Sequence, residues 1–306
     1  QGIRFYADGE FVGEDRPAGA LLTVWVKPKD KEAGEQAEGQ EEQAGEGRRG
    51  RRGRRGGGDE VTIKVVNAAG DTVRTFTRNV EPGFNRFSWY LETDGVDFPS
   101  RRERRGDFGP RGGDRVLPGL YTLIMTYGDQ EQTTEVMVHS DPRIEYPENA
   151  WAARTELSED LEGVVKAATE GFNRLREARE TIGLVERALT NAPDSLLTKV
   201  KEQGKALRDS LDALELLYMD ADDVKGIIRT PDNLTSTLRT ASRYISDVVG
   251  EPSQMALVSL EQARSQTEQV LEKVNAFLEN DFAAYRQAVE AVQYSLFKEM
   301  APVKME

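Results

Sequence analysis

The 306-residue sequence contains no cysteine and a single histidine, His139. Without cysteine there are no disulfides, thiolate metal sites or cysteine nucleophiles, and one histidine leaves no paired-imidazole metal site. No apolar run approaches the roughly 18 residues that a membrane span needs, so no span is expected. Basic residues are outnumbered, and a net charge of −13 argues against whole-surface nucleic-acid binding. No nucleic-acid partner and no cofactor are expected. The sequence opens on Gln1 rather than Met and has no leader pattern, which reads as a processed or excised piece of something longer. The length suits about two domains.

Glycine is also scarce in one half. Of 28 glycines, 22 precede residue 150 and six follow it. The glycine-rich half carries strand patterns. Ala20–Lys27 is a largely apolar run of strand length, and Val61, Ile63 and Val65 alternate with Thr62 and Lys64. Asn67-Ala68-Ala69-Gly70 then turns the chain into Thr72–Thr77. Phe87, Trp89 and Leu91 point one way within Phe84–Leu91, and Gly128-Asp129 joins Leu120–Tyr127 to Glu131–Val138. Leu117-Pro118-Gly119 predicts a type II turn, because proline fixes φ and glycine accepts the positive φ that follows. Short antiparallel strands at this spacing predict a small β-sandwich over 1–140. Two stretches, about 29–60 and 98–116, have too little apolar surface to offset the entropy of ordering them and are expected to be disordered insertions.

Beyond Pro147 the period changes from two to between three and four. Helices are predicted at about 153–190, 194–218, 231–249 and 252–298, making 153–306 a helical domain behind a 141–152 junction. Thr230-Pro231 reads as the start of the third helix, and Pro252 opens the fourth. The fourth carries the longest seam, with Leu260, Ala263, Val270, Val274, Phe277, Phe282, Tyr285 and Val289. At 1.5 Å per residue, the first and fourth helices span roughly 60 and 70 Å, against about 38 and 27 Å for the other two. Stacking the short pair end to end covers both long seams, which predicts an elongated antiparallel bundle.

Few residues suggest chemistry. Arg48, Arg49, Arg51, Arg52, Arg54 and Arg55 are spaced by glycine and suit contact with a polyanion. Six glutamates precede them and no aromatic lies among them, so the segment also reads as a self-neutralised, solvated insertion. His139, Ser140 and Asp141 are too close in sequence to converge as a triad, and no nucleophile turn accompanies them. The reading is that Asp141, Pro142, Arg143 and Trp151 fix the junction between domains. Glu156/Asp160 and Asp220/Asp222/Asp223 read as solvated faces rather than paired catalytic acids or a calcium loop. Trp25, Trp89 and Tyr90 offer a carbohydrate platform, although Trp89 is in phase with core positions.

The order of these features resembles the C-terminal region of large bacterial BNR-repeat, sortilin-like proteins labelled glycosyl hydrolases. The residues that carry the resemblance are Pro17-Ala18-Gly19-Ala20, Val61–Val66 with Ala69-Gly70 and Val73-Arg74, and Gly83-Phe84-Asn85-Arg86 with Trp89 and Leu91. Leu117-Pro118-Gly119 with Tyr121, and Asp141-Pro142-Arg143 before the helices, complete the set. The resemblance implies an α+β multidomain chain, with an antiparallel Ig-like, FlgD-like β-sandwich followed by the helical bundle. It also implies export to the periplasm, the outer membrane or beyond. The expected function is a non-catalytic structural and interaction module that positions the parent's N-terminal β-propeller or docks another exported or outer-membrane protein. The alternatives are a carbohydrate-binding accessory region of an exported glycosidase, or polyanion binding through the arginine-rich loops. No catalytic, cofactor-binding or metal residues are assigned.

Overall fold

The computed structural model describes residues 17–27, 59–102, 111–143, 147, 150–189, 194–221, 232–246 and 250–291. Antiparallel sheets occupy the first half and helices the second. The chain divides into a sheet unit, Gln1–Asp94 with Asp107–Asp141, and a helical unit, Gly95–Gly106 with Pro142–Glu306.

The sheet unit contains β1 (Ala20–Val26), β2 (Glu60–Val66), β3 (Thr72–Asn79), β4 (Gly83–Trp89), β5 (Glu92–Asp94), β6 (Gly112–Arg115), β7 (Gly119–Tyr127) and β8 (Gln130–Val138). Four strands pair in the order β3-β2-β7-β8, and β1 with β4 and β5 with β6 form two-stranded sheets. Alternation sets which face is buried: Val61, Ile63 and Val65 of β2 face inward beside Phe76, Leu123 and Tyr121. Leu22 and Val26 of β1 and Trp89 of β4 belong to the same buried cluster as the four-stranded sheet. Each such aliphatic side chain contributes about 1.5–3 kcal/mol of burial. Trp89 meets Tyr121 edge-on at 5.4 Å, and the Tyr121 hydroxyl donates to the Leu117 carbonyl at 2.7 Å. Burial raises the Tyr121 phenol above its ordinary pKa.

Local chemistry explains the corners. Gly19 enters β1 at φ +88°, and a Cβ there would lie 2.2 Å from the Trp89 carbonyl oxygen, so no other residue fits. The Asn67 carboxamide accepts from the Ala69 and Asp71 amides at 3.0 and 2.8 Å, closing the β2–β3 turn with a side chain.

Of the expected insertion at 98–116, residues 98–102 and 111–116 are described. β6 lies inside it, and the β5–β6 ribbon is held by charge rather than by apolar surface. Arg74, only 6% exposed, pairs with Glu92 at 3.2 Å and Asp94 at 3.0 Å and donates to the Arg111 carbonyl. Trp89 Nε1 donates to the Glu92 carbonyl at 3.0 Å. At the other end, Val96 and Phe98 pack on the helical core and Pro99 is buried. Thr169 donates to the Asp97 carbonyl at 2.7 Å, while Arg101 pairs with Glu215 and donates to the Asp220 carbonyl at 2.7 Å. An apolar triplet and one arginine therefore bind this segment to the helices. The expected insertion at 29–60 lies outside the described residues except for Asp59 and Glu60, the latter opening β2.

In the helical unit, α1 (Ala150–Ala188) lies against α2 (Asp194–Tyr218), α3 (Leu234–Ser246) and α4 (Gln254–Ala276). Ser253 caps α4, accepting from the Ala256 amide at 3.2 Å. Asn233 caps α3 through the Ser236 amide at 2.9 Å. Thr230 and Pro231, the expected start of that helix, lie outside the described residues. The expected continuous fourth helix contains a π-helical turn, Phe277–Phe282, before α5 (Ala283–Glu290). Phe277 and Phe282 are five residues apart, and the wider turn brings both rings to the core, 6.4 Å between centroids.

Candidate binding cleft

The sheet unit carries a cleft of about 610 Å³ between β1 and the tip of the β7–β8 hairpin. That volume falls within the range of ligand sites, roughly 300–1,000 Å³. On one side it is lined by five consecutive residues, Thr23 to Lys27. Successive side chains alternate between the faces of a strand, so a run of five can line a cleft only along the strand's edge. β1 pairs with β4 on its other edge, and no described strand pairs with this one. The opposite wall comes from Met125 and Tyr127 of β7 and from Gln130 and Gln132 of β8. The register pairs Met125 with Gln132 and Tyr127 with Gln130, placing all four on the core-facing side of the sheet.

This wall is open because β8 changes character along its length. Val136 and Val138 turn into the core, but every residue from Gln130 to Glu135 is exposed, on both faces of the strand. With glutamines where valines would otherwise face inward, the core ends and the cleft begins. Trp25 stands at the rim, 57% exposed, directly across from Phe84, which is 83% exposed. On the same face, Arg86 Nε donates to Thr23 Oγ1 at 3.4 Å. The cleft thus combines apolar and aromatic surface with amide groups and unpaired strand edges. Concave space of this size lined by apolar, aromatic and amide groups is of the kind that binds ligands.

The other sequence candidates distribute as follows. Trp89 is buried and Tyr90 exposed, so the three aromatics form no shared platform. His139 and Ser140 are exposed just beyond β8, and Asp141 is half-buried. The chain passes from the sheet unit to the helical unit between Asp141 and Pro142. Pro142 and Arg143 are exposed, and Trp151 is half-buried on α1 with the Arg154 guanidinium 5.9 Å from its ring. Asp160 pairs with Arg264 at 3.0 Å, and Asp220 accepts from Asn233 Nδ2 at 3.4 Å. Arg48, Arg49, Arg51, Arg52, Arg54 and Arg55, with Asp222 and Asp223, lie outside the described residues. Among the described residues no group of three or more histidines or carboxylates is placed to hold a metal ion. No described helix is long and apolar enough to cross a membrane.

Sequence reasoning singled out Trp25 but not Met125, Tyr127, Gln130 or Gln132. The available signal was the stretch Gln130–Glu135, which reads as a strand yet has no large apolar residue on either face. No model of a known protein family matches the chain, and no curated protein or solved structure matches it.

Proposed function

We propose that the chain is a non-catalytic structural and interaction module whose sheet unit binds a polypeptide in the β1/β8 cleft. The cleft itself carries this reading: about 610 Å³ of partly apolar space between the β1 edge and the core-facing side of β7 and β8, with the exposed Trp25 at its rim. Taken with the sequence resemblance, the module belongs to a larger exported β-propeller protein, in the periplasm, outer membrane or outside the cell. Its partner is that propeller or another exported protein. The sheet unit is read as an Ig-like β-sandwich. The hydrogen bond from Tyr121, near the start of β7, to a carbonyl four residues upstream supports this, because Ig-like folds use such a tyrosine at a strand corner. The helical unit is read as an elongated antiparallel bundle that acts mechanically. A second reading, a carbohydrate-binding accessory of an exported glycosidase, is favoured by Trp25 and Phe84 standing exposed side by side.

Parallel arrays of extended peptides and of oligosaccharides, probed with the full chain and its Trp25→Ala variant, test the two readings. Peptide binding that weakens about tenfold or more in Trp25→Ala, with no glycan retained, is expected for loss of a rim aromatic. Glycan binding lost in the same variant, with no peptide bound, replaces the first reading by the second.

A further inference from the structure

We infer that β8 takes up an extended, basic polypeptide segment as an added strand whose inward side chains fill the cleft beside Trp25. The inference rests on reading the cleft as a polypeptide site and names the partner's chemistry and its mode of binding.

The backbone supplies the first argument. Tyr127 and Gln130 are register partners across the two-residue turn Gly128-Asp129, with φ +56° at Gly128. Residues flanking a two-residue hairpin turn form a hydrogen-bonded pair, and bonded and non-bonded pairs then alternate. Gln130, Gln132, Thr134, Val136 and Val138 therefore bond toward β7. The N–H and C=O groups of Glu131, Thr133, Glu135 and Met137 point the other way, and no described strand pairs with them. A nine-residue edge strand exposed on both faces over most of its length is a ready template for another strand.

Charge supplies the second. Glu131 and Glu135 stand on the outer face of β8, and their partners on β7 are Thr126 and Thr122. Neither carboxylate has a cation partner among the described residues, and β8 itself has no basic residue. A second copy of this chain paired through β8 brings four carboxylates and no cation onto one face, which directs the edge away from self-association. A segment with lysine or arginine opposite Glu131 and Glu135 supplies the missing charges. Those two positions are four residues apart, so of the segment's three intervening side chains the two opposite Gln132 and Thr134 face inward. There they approach the Met125 and Tyr127 wall of the cleft, which favours apolar groups, with Trp25 at the rim.

The test uses the full chain and a capped synthetic peptide alternating valine with threonine and lysine, its lysines four residues apart, titrated at low and at high salt. The same peptide with glutamate for lysine is the control. Amide exchange is followed at Glu131, Thr133, Glu135 and Met137. Expected are salt-sensitive binding of the lysine peptide, none of the glutamate peptide, and new protection at those four amides but not at Gln132 or Thr134. Thr133→Pro removes only an outward N–H and should weaken binding about tenfold or more. Glu131→Lys with Glu135→Lys should do the same and admit the glutamate peptide. Unchanged thermal unfolding checks that both variants fold. If Trp25→Ala abolishes peptide binding while both β8 variants leave it intact, strand addition is wrong and the polypeptide reading survives. If neither peptide binds and no array peptide binds, both are wrong.

Discussion

In the helical unit, backbone hydrogen bonds close inside each helix apart from the end turns, and many surface charges find partners between helices. Arg179 pairs with Asp212 and Glu215, Arg208 with Glu186, and Arg264 with Asp160. The sheet unit does the reverse. Among the described residues, β1 and β8 each leave one edge unpaired, and Glu131 and Glu135 pair with no cation. The difference follows from how each element satisfies its backbone: a helix bonds to itself, whereas a strand needs a neighbour on each side. Unpaired backbone groups are therefore offered by strand edges of the sheet unit, whereas the described helices present mainly side chains along their length.

Three stability measurements probe that contrast, beginning with the largest expected effect. Phe277 is buried at the start of the π turn and packs against Phe282, so Phe277→Ala should cost about 3–5 kcal/mol in denaturant unfolding. A neutral result would mean that the π turn is not a packed element and that the helical unit is looser than its charge pairing implies. Arg74→Ala should cost about 3 kcal/mol, the low end for breaking a buried pair, because Glu92 and Asp94 keep some contact with water. The loss should fall on the sheet unit, read by amide exchange at β5 and β6. If the ribbon keeps its protection, charge is not what holds it.

The smallest effect is a difference in sign between two helical glycines. A Cβ on Gly171 would lie 2.6 Å from the Tyr218 hydroxyl and 2.5 Å from Leu271 Cδ2, whereas one on Gly163 meets nothing within 4 Å. Gly163→Ala should stabilise by up to about 1 kcal/mol through helix propensity. Gly171→Ala should destabilise by about 1–3 kcal/mol, because Tyr218 is fully buried and cannot step aside. Equal gains at both sites would show that α1 and α2 have room to move apart.

Much of the fold was legible wherever burial repeats at a fixed period. The alternation in Val61–Val66 and the three-and-four spacing from Leu197 to Tyr218 each mark an element that a single face must bury. The π turn in the fourth helix was not read from the sequence: Phe277 and Phe282 are five positions apart, but a lone irregular spacing does not announce a π turn. The hold on 95–102 was not legible, because Asp97 and Arg101 find their partners 72 and 119 residues away and Val96 and Phe98 pack on the distant helices. Of the cleft, Trp25 and the apolar poverty of Gln130–Glu135 were in plain view, and their meaning was not.

By itself the sequence determined what depends on near neighbours: strand and helix periods, the Asn67 and Gly128 turns, the absence of thiol chemistry and the acidic balance. Tertiary structure alone decided which strands became edges, that Arg74 would close over β5, and that the side of β1 carrying Thr23–Lys27 would face the hairpin tip. Those outcomes depend on pairings between distant segments. A strand's pattern records which of its faces is buried, but not which neighbour, if any, will lie along its edge.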